Sequence, residues 1–209
     1  MKKIELACLL LILTCCGTNS ALANVLTFDD VATDPDSTWE AIPNGYRGLN
    51  WNHFWVVAPQ LDLSLDPSQG WQNGLVSGDF LAYNQTGAPA EVSSGSVFNF
   101  DGASVNAAYR DGLRLTATGF RNGVQLYQTT LELDTGLSQF FAFNFSGIDT
   151  LRFATDGGVP AEGWNGAHFT LENFTFTAAP VPVPGAVWLF GTGLAGYAGM
   201  ARRRRHAVA

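Results

Sequence analysis

The chain has 209 residues and a formal net charge of −7. Between residues 24 and 180 five arginines and no lysine stand against seventeen acids, a balance of −12 that repels phosphate backbones and excludes nucleic-acid binding. Cys8, Cys15 and Cys16 all precede residue 24, so the middle of the sequence holds no disulfide, cysteine nucleophile or thiolate metal site.

In chain order, the first element is an export signal over 1–23. Lys2 and Lys3 supply the positive start, Leu6 to Leu13 an apolar core too short to span a bilayer, and Ala21-Leu22-Ala23 small residues before a cleavage point at Asn24. A lipoprotein reading around Leu13-Thr14-Cys15-Cys16 competes with it; either one exports the middle of the chain.

Residues 24–179 read as one all-β domain of roughly 155 residues. Leu113, Leu115 and Ala117 alternate with Arg114, Thr116 and Thr118. Phe141, Phe143 and Phe145 alternate with Ala142 and Asn144, Leu151 and Phe153 flank Arg152, and Phe169 and Leu171 flank Thr170. Period-two alternation predicts strands with one wet face. Turn signals fall between them at Pro43-Asn44-Gly45, Asp111-Gly112, Asn122-Gly123, Ser146-Gly147 and Asp156-Gly157-Gly158. Asn122-Gly123 predicts a type I′ hairpin between strands at 113–120 and 124–133. The opposite parity of Leu126 and Leu131 places a bulge near 127–130, and that of Leu171 and Phe174 another at Glu172-Asn173. The expected architecture is an antiparallel β-sandwich of jelly-roll type.

After a short linker comes Val181-Pro182-Val183-Pro184, then an apolar run over 185–201, then Arg202, Arg203, Arg204 and Arg205. Seventeen residues make a helix of about 25 Å, at the short end for a transmembrane span, with the arginines expected to stay cytoplasmic. Val-Pro-x-Pro, a glycine-rich span containing Trp188-Leu189-Phe190-Gly191-Thr192-Gly193-Leu194 and a terminal arginine cluster resemble the PEP-CTERM sorting signal of Gram-negative bacteria. The same tail is also catalogued as an ice-binding protein C-terminal motif. The usual middle residue of the proline motif is Glu; Val183 replaces it here. The resemblance implies recognition by an exosortase at the inner membrane, a transient C-terminal anchor over 180–209, and delivery to an exopolysaccharide-rich surface.

Phe28-Asp29-Asp30, Ile42-Pro43-Asn44-Gly45-Tyr46 with Gly48-Leu49-Asn50-Trp51, and Phe169-Thr170-Leu171-Glu172-Asn173-Phe174 are similar to exported PEP-CTERM proteins whose middle domains look like carbohydrate-binding jelly rolls. Two sites are expected. Asp29, Asp30, Glu172 and Asn173, on first and last strands that run side by side in jelly rolls, are candidate oxygen ligands for a structural Ca²⁺; the alternative is turn-capping acids facing water. Tyr46, Trp51, Trp55 and Trp71, interspersed with Asn44, Asn50, Asn52 and His53, are candidate sugar-stacking rings. Trp51 and Trp55 share strand parity against Phe54, so one of these faces is core. Enzyme signals are weak: Gly-x-Ser-x-Gly, His-Glu-x-x-His and a phosphate-binding glycine loop are all missing from the sequence. The leading expectation is an exported, non-catalytic sandwich at the cell surface or in its matrix; a glycan-binding module is the alternative and a polysaccharide-processing enzyme the third reading.

Overall fold

The structure, a computed structural model, describes residues 22–34, 37–66, 69–161 and 166–178, with Phe190 and Thr192. The chain divides into two compact units, Met1–Ala179 and Pro180–Ala209. Residues 1–21 of the leader and the Val-Pro-Val-Pro and arginine motifs lie outside the described residues, within which no helix is long and apolar enough to cross a membrane.

The first unit is an antiparallel all-β sandwich. Its strands are β1 (Asn24–Leu26), β2 (Trp39–Ala41), β3 (Asn50–Asn52), β4 (Phe54–Val57), β5 (Leu81–Asn84), β6 (Ala90–Ala107), β7 (Arg110–Arg121), β8 (Val124–Leu133), β9 (Gln139–Pro160) and β10 (Phe169–Ala178). A short α-helix, α1 (Gly70–Gly74), lies between β4 and β5. The strands run β2-β4-β5-β10-β6-β9-β7-β8, with β1 on β10 and β3 on β6. Two long strands make this continuous sheet into two layers. Glu91 to Ser93 of β6 pair with β3, and Ala90 to Ser93 pair with Thr150 to Phe153 of β9, while the later part of β6 pairs with β10 and with the start of β9. Register shifts between Ser93 and Phe98, and again up to Gly102, let β6 and β9 pass from one layer to the other.

The predicted alternation builds the core. Leu113, Leu115, Ala117, Leu151 and Phe153 point inward from one layer and meet Phe54, Phe100 and Phe169 of the other. Phe153 packs edge-on against Phe54 and Phe100, both at 6.0 Å between centroids. The hairpin turn at Asn122 (φ 51°) and Gly123 (φ 75°) has the two positive φ values that a type I′ turn demands. The bulge lies one residue before its expected span, since Gly119 pairs with Tyr127 and Phe120 with Gln125, leaving Leu126 over. The second bulge falls where its parity put it: the β10 register shifts after Glu172, and Asn173 has φ 50°.

Two expectations need correction. Trp51 and Trp55 do not share a face. His53, at φ 58°, breaks the run into β3 and β4 and resets the alternation. Trp51 and Phe54 therefore both enter the core, 5.4 Å apart, while Trp55 leaves by the other side. Strand β10 also has no wet face over Thr170 and Glu172, both buried. Helix α1 lies against this stretch, and a Cβ on Gly74 would stand 2.5 Å from the Thr170 hydroxyl. Under α1 a second core forms from Val57, Leu65, Trp71, Leu81, Tyr83, Ala108 and Tyr109.

Candidate functional site

The four candidate sugar-stacking rings divide between these two cores. Trp51 is 4% exposed; its backbone N–H donates to Asn44 Oδ1 (2.8 Å), its indole N–H to the Tyr46 carbonyl (3.2 Å), and its ring meets Phe28 and Phe174 edge-on. Trp71 is 1% exposed, at the centre of a box formed by Trp39, Tyr83, Tyr109 and His168 at centroid distances of 5.2–5.8 Å. Burial raises the Tyr83 and Tyr109 phenols and holds His168 below its ordinary range. Tyr46 and Trp55 keep part of their surface. Tyr46 donates its hydroxyl to Asp30, which also pairs with Arg47; burial first and the Asp30 contact next push this phenol up to about 12. The four rings form no common platform. A ring sealed on both faces stabilises the fold and has no surface left to stack on a sugar.

The four candidate calcium ligands do not converge either. Strands β1 and β10 do lie side by side, with Leu26 opposite Phe174. Asp30, however, turns outward to Tyr46 and Arg47. Asp29 accepts the Asp79 and Phe80 N–H groups at 2.8 and 3.1 Å. Glu172 accepts the Val76 and Ser77 N–H groups, both at 2.8 Å, and the Ser77 hydroxyl at 3.2 Å. Burial raises the Glu172 carboxyl, the loop donors lower it, and nearby Asp29 adds to the rise. Both carboxylates thus clamp the loop over 76–80, and Gly78 leaves room for it: a Cβ there would stand 2.1 Å from an Asp29 oxygen. Oxygens already spent on amide donors do not fit a hard cation's demand for six to eight ligands. Among the described residues no three acidic or histidine side chains gather into a metal cage.

A different surface carries exposed chemistry. On the outer face of the layer made by β3, β6, β9, β7 and β8, Glu91, Phe120, Gly123, Thr150 and Arg152 line an open cleft of about 300 Å³. Strand pairing aligns them: Asn52 lies opposite Glu91, Glu91 opposite Arg152, Arg152 opposite Thr118, and Thr118 opposite Gln128. A neighbouring row runs from Asn50 through Ser93, Thr150 and Phe120 to Gln125. Glu91 and Arg152 stand 3.6 Å apart as an ion pair, and Gln125 donates to Gln128 at 3.1 Å. Sequence reasoning missed this face, although one signal was available. Leu113, Leu115 and Ala117 are the inward parity of β7, which leaves Phe120 an aromatic on the outward one.

Residues 180–205 match the family described as the PEP-CTERM protein-sorting motif, so the chain carries that motif where Val181, Pro182, Val183, Pro184 and the arginine cluster were read. No curated protein sequence matches the chain. Among solved structures it is similar to TmCBM61 in complex with β-1,4-galactotriose, with 11% identity and a TM-score of 0.39 over 66% of this chain and 95% of that one. It is also similar to a family two carbohydrate esterase from Cellvibrio japonicus, with 13% identity and a TM-score of 0.39 over 78% of this chain and 37% of that one. A third is the agarase AgWH50C, at 10% identity and a TM-score of 0.36 over 68% of this chain and 25% of that one.

Proposed function

We propose that this is an exported, non-catalytic protein of a Gram-negative cell surface. An exosortase handles it at the inner membrane through the tail, and its sandwich then resides in surface polysaccharide. The observation that carries the reading is the sorting motif at 180–205. The charge of the middle region agrees with it, because an acidic, lysine-free surface stays dispersed in an extracellular polymer.

Cell fractionation tests the sorting. The full chain is expected in the envelope or matrix fraction, and a chain lacking 180–209 in the periplasm or medium. Deleting the host exosortase should trap the full chain in the inner membrane. A truncated chain that stays with the envelope overturns the proposal.

A further inference from the structure

We infer that the outer face of the β3-β6-β9-β7-β8 layer is a binding site for a neutral polysaccharide, with Phe120 as its stacking ring. This deepens the reading above, which brings the domain into polysaccharide without saying what touches it.

Phe120 is the first part of the argument. The core takes Leu113, Leu115 and Ala117 from β7, and Phe120 stands partly exposed on the opposite parity, in the wall of the cleft. A phenyl ring in that position leaves part of its apolar surface in water. The C–H edge of a pyranose ring covers such a face well.

The surroundings of Phe120 are the second part. Amide and hydroxyl groups flank it in two registered rows, with Gln125 and Thr150 directly opposite it on the neighbouring strands. Asn52 and Gln128 are exposed further along. Each amide offers both donors and an acceptor, and each hydroxyl offers both roles, which matches the mixed hydrogen bonding of sugar hydroxyls. Glu91 and Arg152 add a charged acceptor and a planar set of donors, the arginine side chain 57% exposed and the glutamate 31%.

Charge selects the ligand class. Arg152 is paired with Glu91 at 3.6 Å, and residues 24–180 as a whole carry a balance of −12. An anionic polymer would bring like charge to this surface, whereas a neutral hexose chain meets no such field. The cleft is also open and lies on a strand face, so it suits an internal stretch of polymer better than a buried terminal sugar.

The test uses the full chain in a sugar-free detergent, titrated with a β-glucan, a β-galactan, a β-mannan, an α-glucan and, as the anionic arm, polygalacturonate. At least one neutral polymer is expected to bind. Phe120→Ala and Arg152→Ala should each weaken that binding about tenfold or more, equivalent to about 1.4 kcal/mol. Tyr46→Ala and Trp55→Ala lie off this face and should leave it unchanged. Gln125→Ala removes an exposed side chain without disturbing the core, so its expected loss of affinity at an unchanged melting temperature guards against misfolding of Phe120→Ala. Binding to no neutral polymer, binding to polygalacturonate alone, or full affinity in both Phe120→Ala and Gln125→Ala overturns the inference. Sorting is read from cell fractions without any glycan, so normal sorting with no titration signal rejects this site and leaves the exported-protein reading standing.

Discussion

Glu172 makes the sharpest energetic case, because its side chain is fully buried and its bonds all run to one loop. Its residue is 0% exposed, and its oxygens accept two backbone N–H groups and one hydroxyl from Val76 and Ser77. Hydrogen bonds to a charged group contribute about 1.5–3 kcal/mol each, offset here by the cost of desolvating the carboxylate. Glu172→Ala removes all three bonds and leaves a void, for a net loss of about 3 kcal/mol. At about 2–4 °C per kcal/mol for a domain of this size, the melting temperature should fall by about 6–12 °C. Glu172→Gln is the informative partner. Its amide oxygen fits the two N–H groups and its NH₂ can donate to the Ser77 hydroxyl, so all three contacts survive without the buried charge. That variant should stay within about 1 kcal/mol of the parent near neutral pH.

The pH dependence has a defined sign. The folded-state pKa of Glu172 is raised, so its ionisation linkage favours folding below the unfolded pKa, and that contribution is lost as pH rises through the folded value. The parent should therefore gain on Glu172→Gln as pH falls from neutral toward the ordinary carboxylate range. Thermal melts of the full chain and both variants at several pH values measure all of this. A Glu172→Ala variant as stable as the parent, or a Glu172→Gln variant as damaged as the alanine, refutes the loop-clamp account.

Calcium probes the same corner. Asp29 and Glu172 are already bonded to loop amides, so melting should be identical in chelator and in Ca²⁺. A midpoint that climbs steadily with Ca²⁺, by about 2.7 kcal/mol at a hundredfold excess over Kd, would show that an ion displaces those amides. Trp71→Ala should cost about 3–5 kcal/mol, because Trp71 fills the second core and touches four other rings; a loss under about 1 kcal/mol in the melt would mean that core adds little. Gly123→Ala should cost about 1–2 kcal/mol from backbone strain alone, since φ is 75° and nothing lies within 4 Å of the added Cβ. An unchanged unfolding midpoint in denaturant would refute the type I′ turn.

The architecture was legible where local chemistry decides it. Alternation in 113–118 and 141–145 has one physical cause, a strand between core and water, and the structure buries Leu113, Leu115, Phe143 and Phe145 accordingly. Asn122-Gly123 states its turn type because few other residue pairs tolerate two positive φ values. Parity also located the β10 bulge, since a strand cannot bury both Leu171 and Phe174 without an extra residue between them. Parity fails across a break it cannot see. His53 carries only a weak sequence mark of a left-handed residue, and its φ of 58° sends Trp51 and Trp55 to opposite sides of the sheet.

The candidate site was illegible for a topological reason. Counting aromatics along 39–71 pointed to a platform, but that stretch forms strands and a helix that bury rings in a core on each side of β4. A high local density of tryptophan therefore marked packing. The outer face gathers its groups from β3, β6, β7, β8 and β9, so Asn52, Glu91, Phe120 and Arg152 become neighbours only through strand order and register. Each strand contributes an ordinary polar position, and none is notable alone. The informative residue is the one that breaks the pattern, Phe120, whose ring stands where its strand otherwise places threonine and arginine. Burial already accounts for the cluster, while the part of the Phe120 ring left in water has a hydrophobic cost that a ligand would relieve.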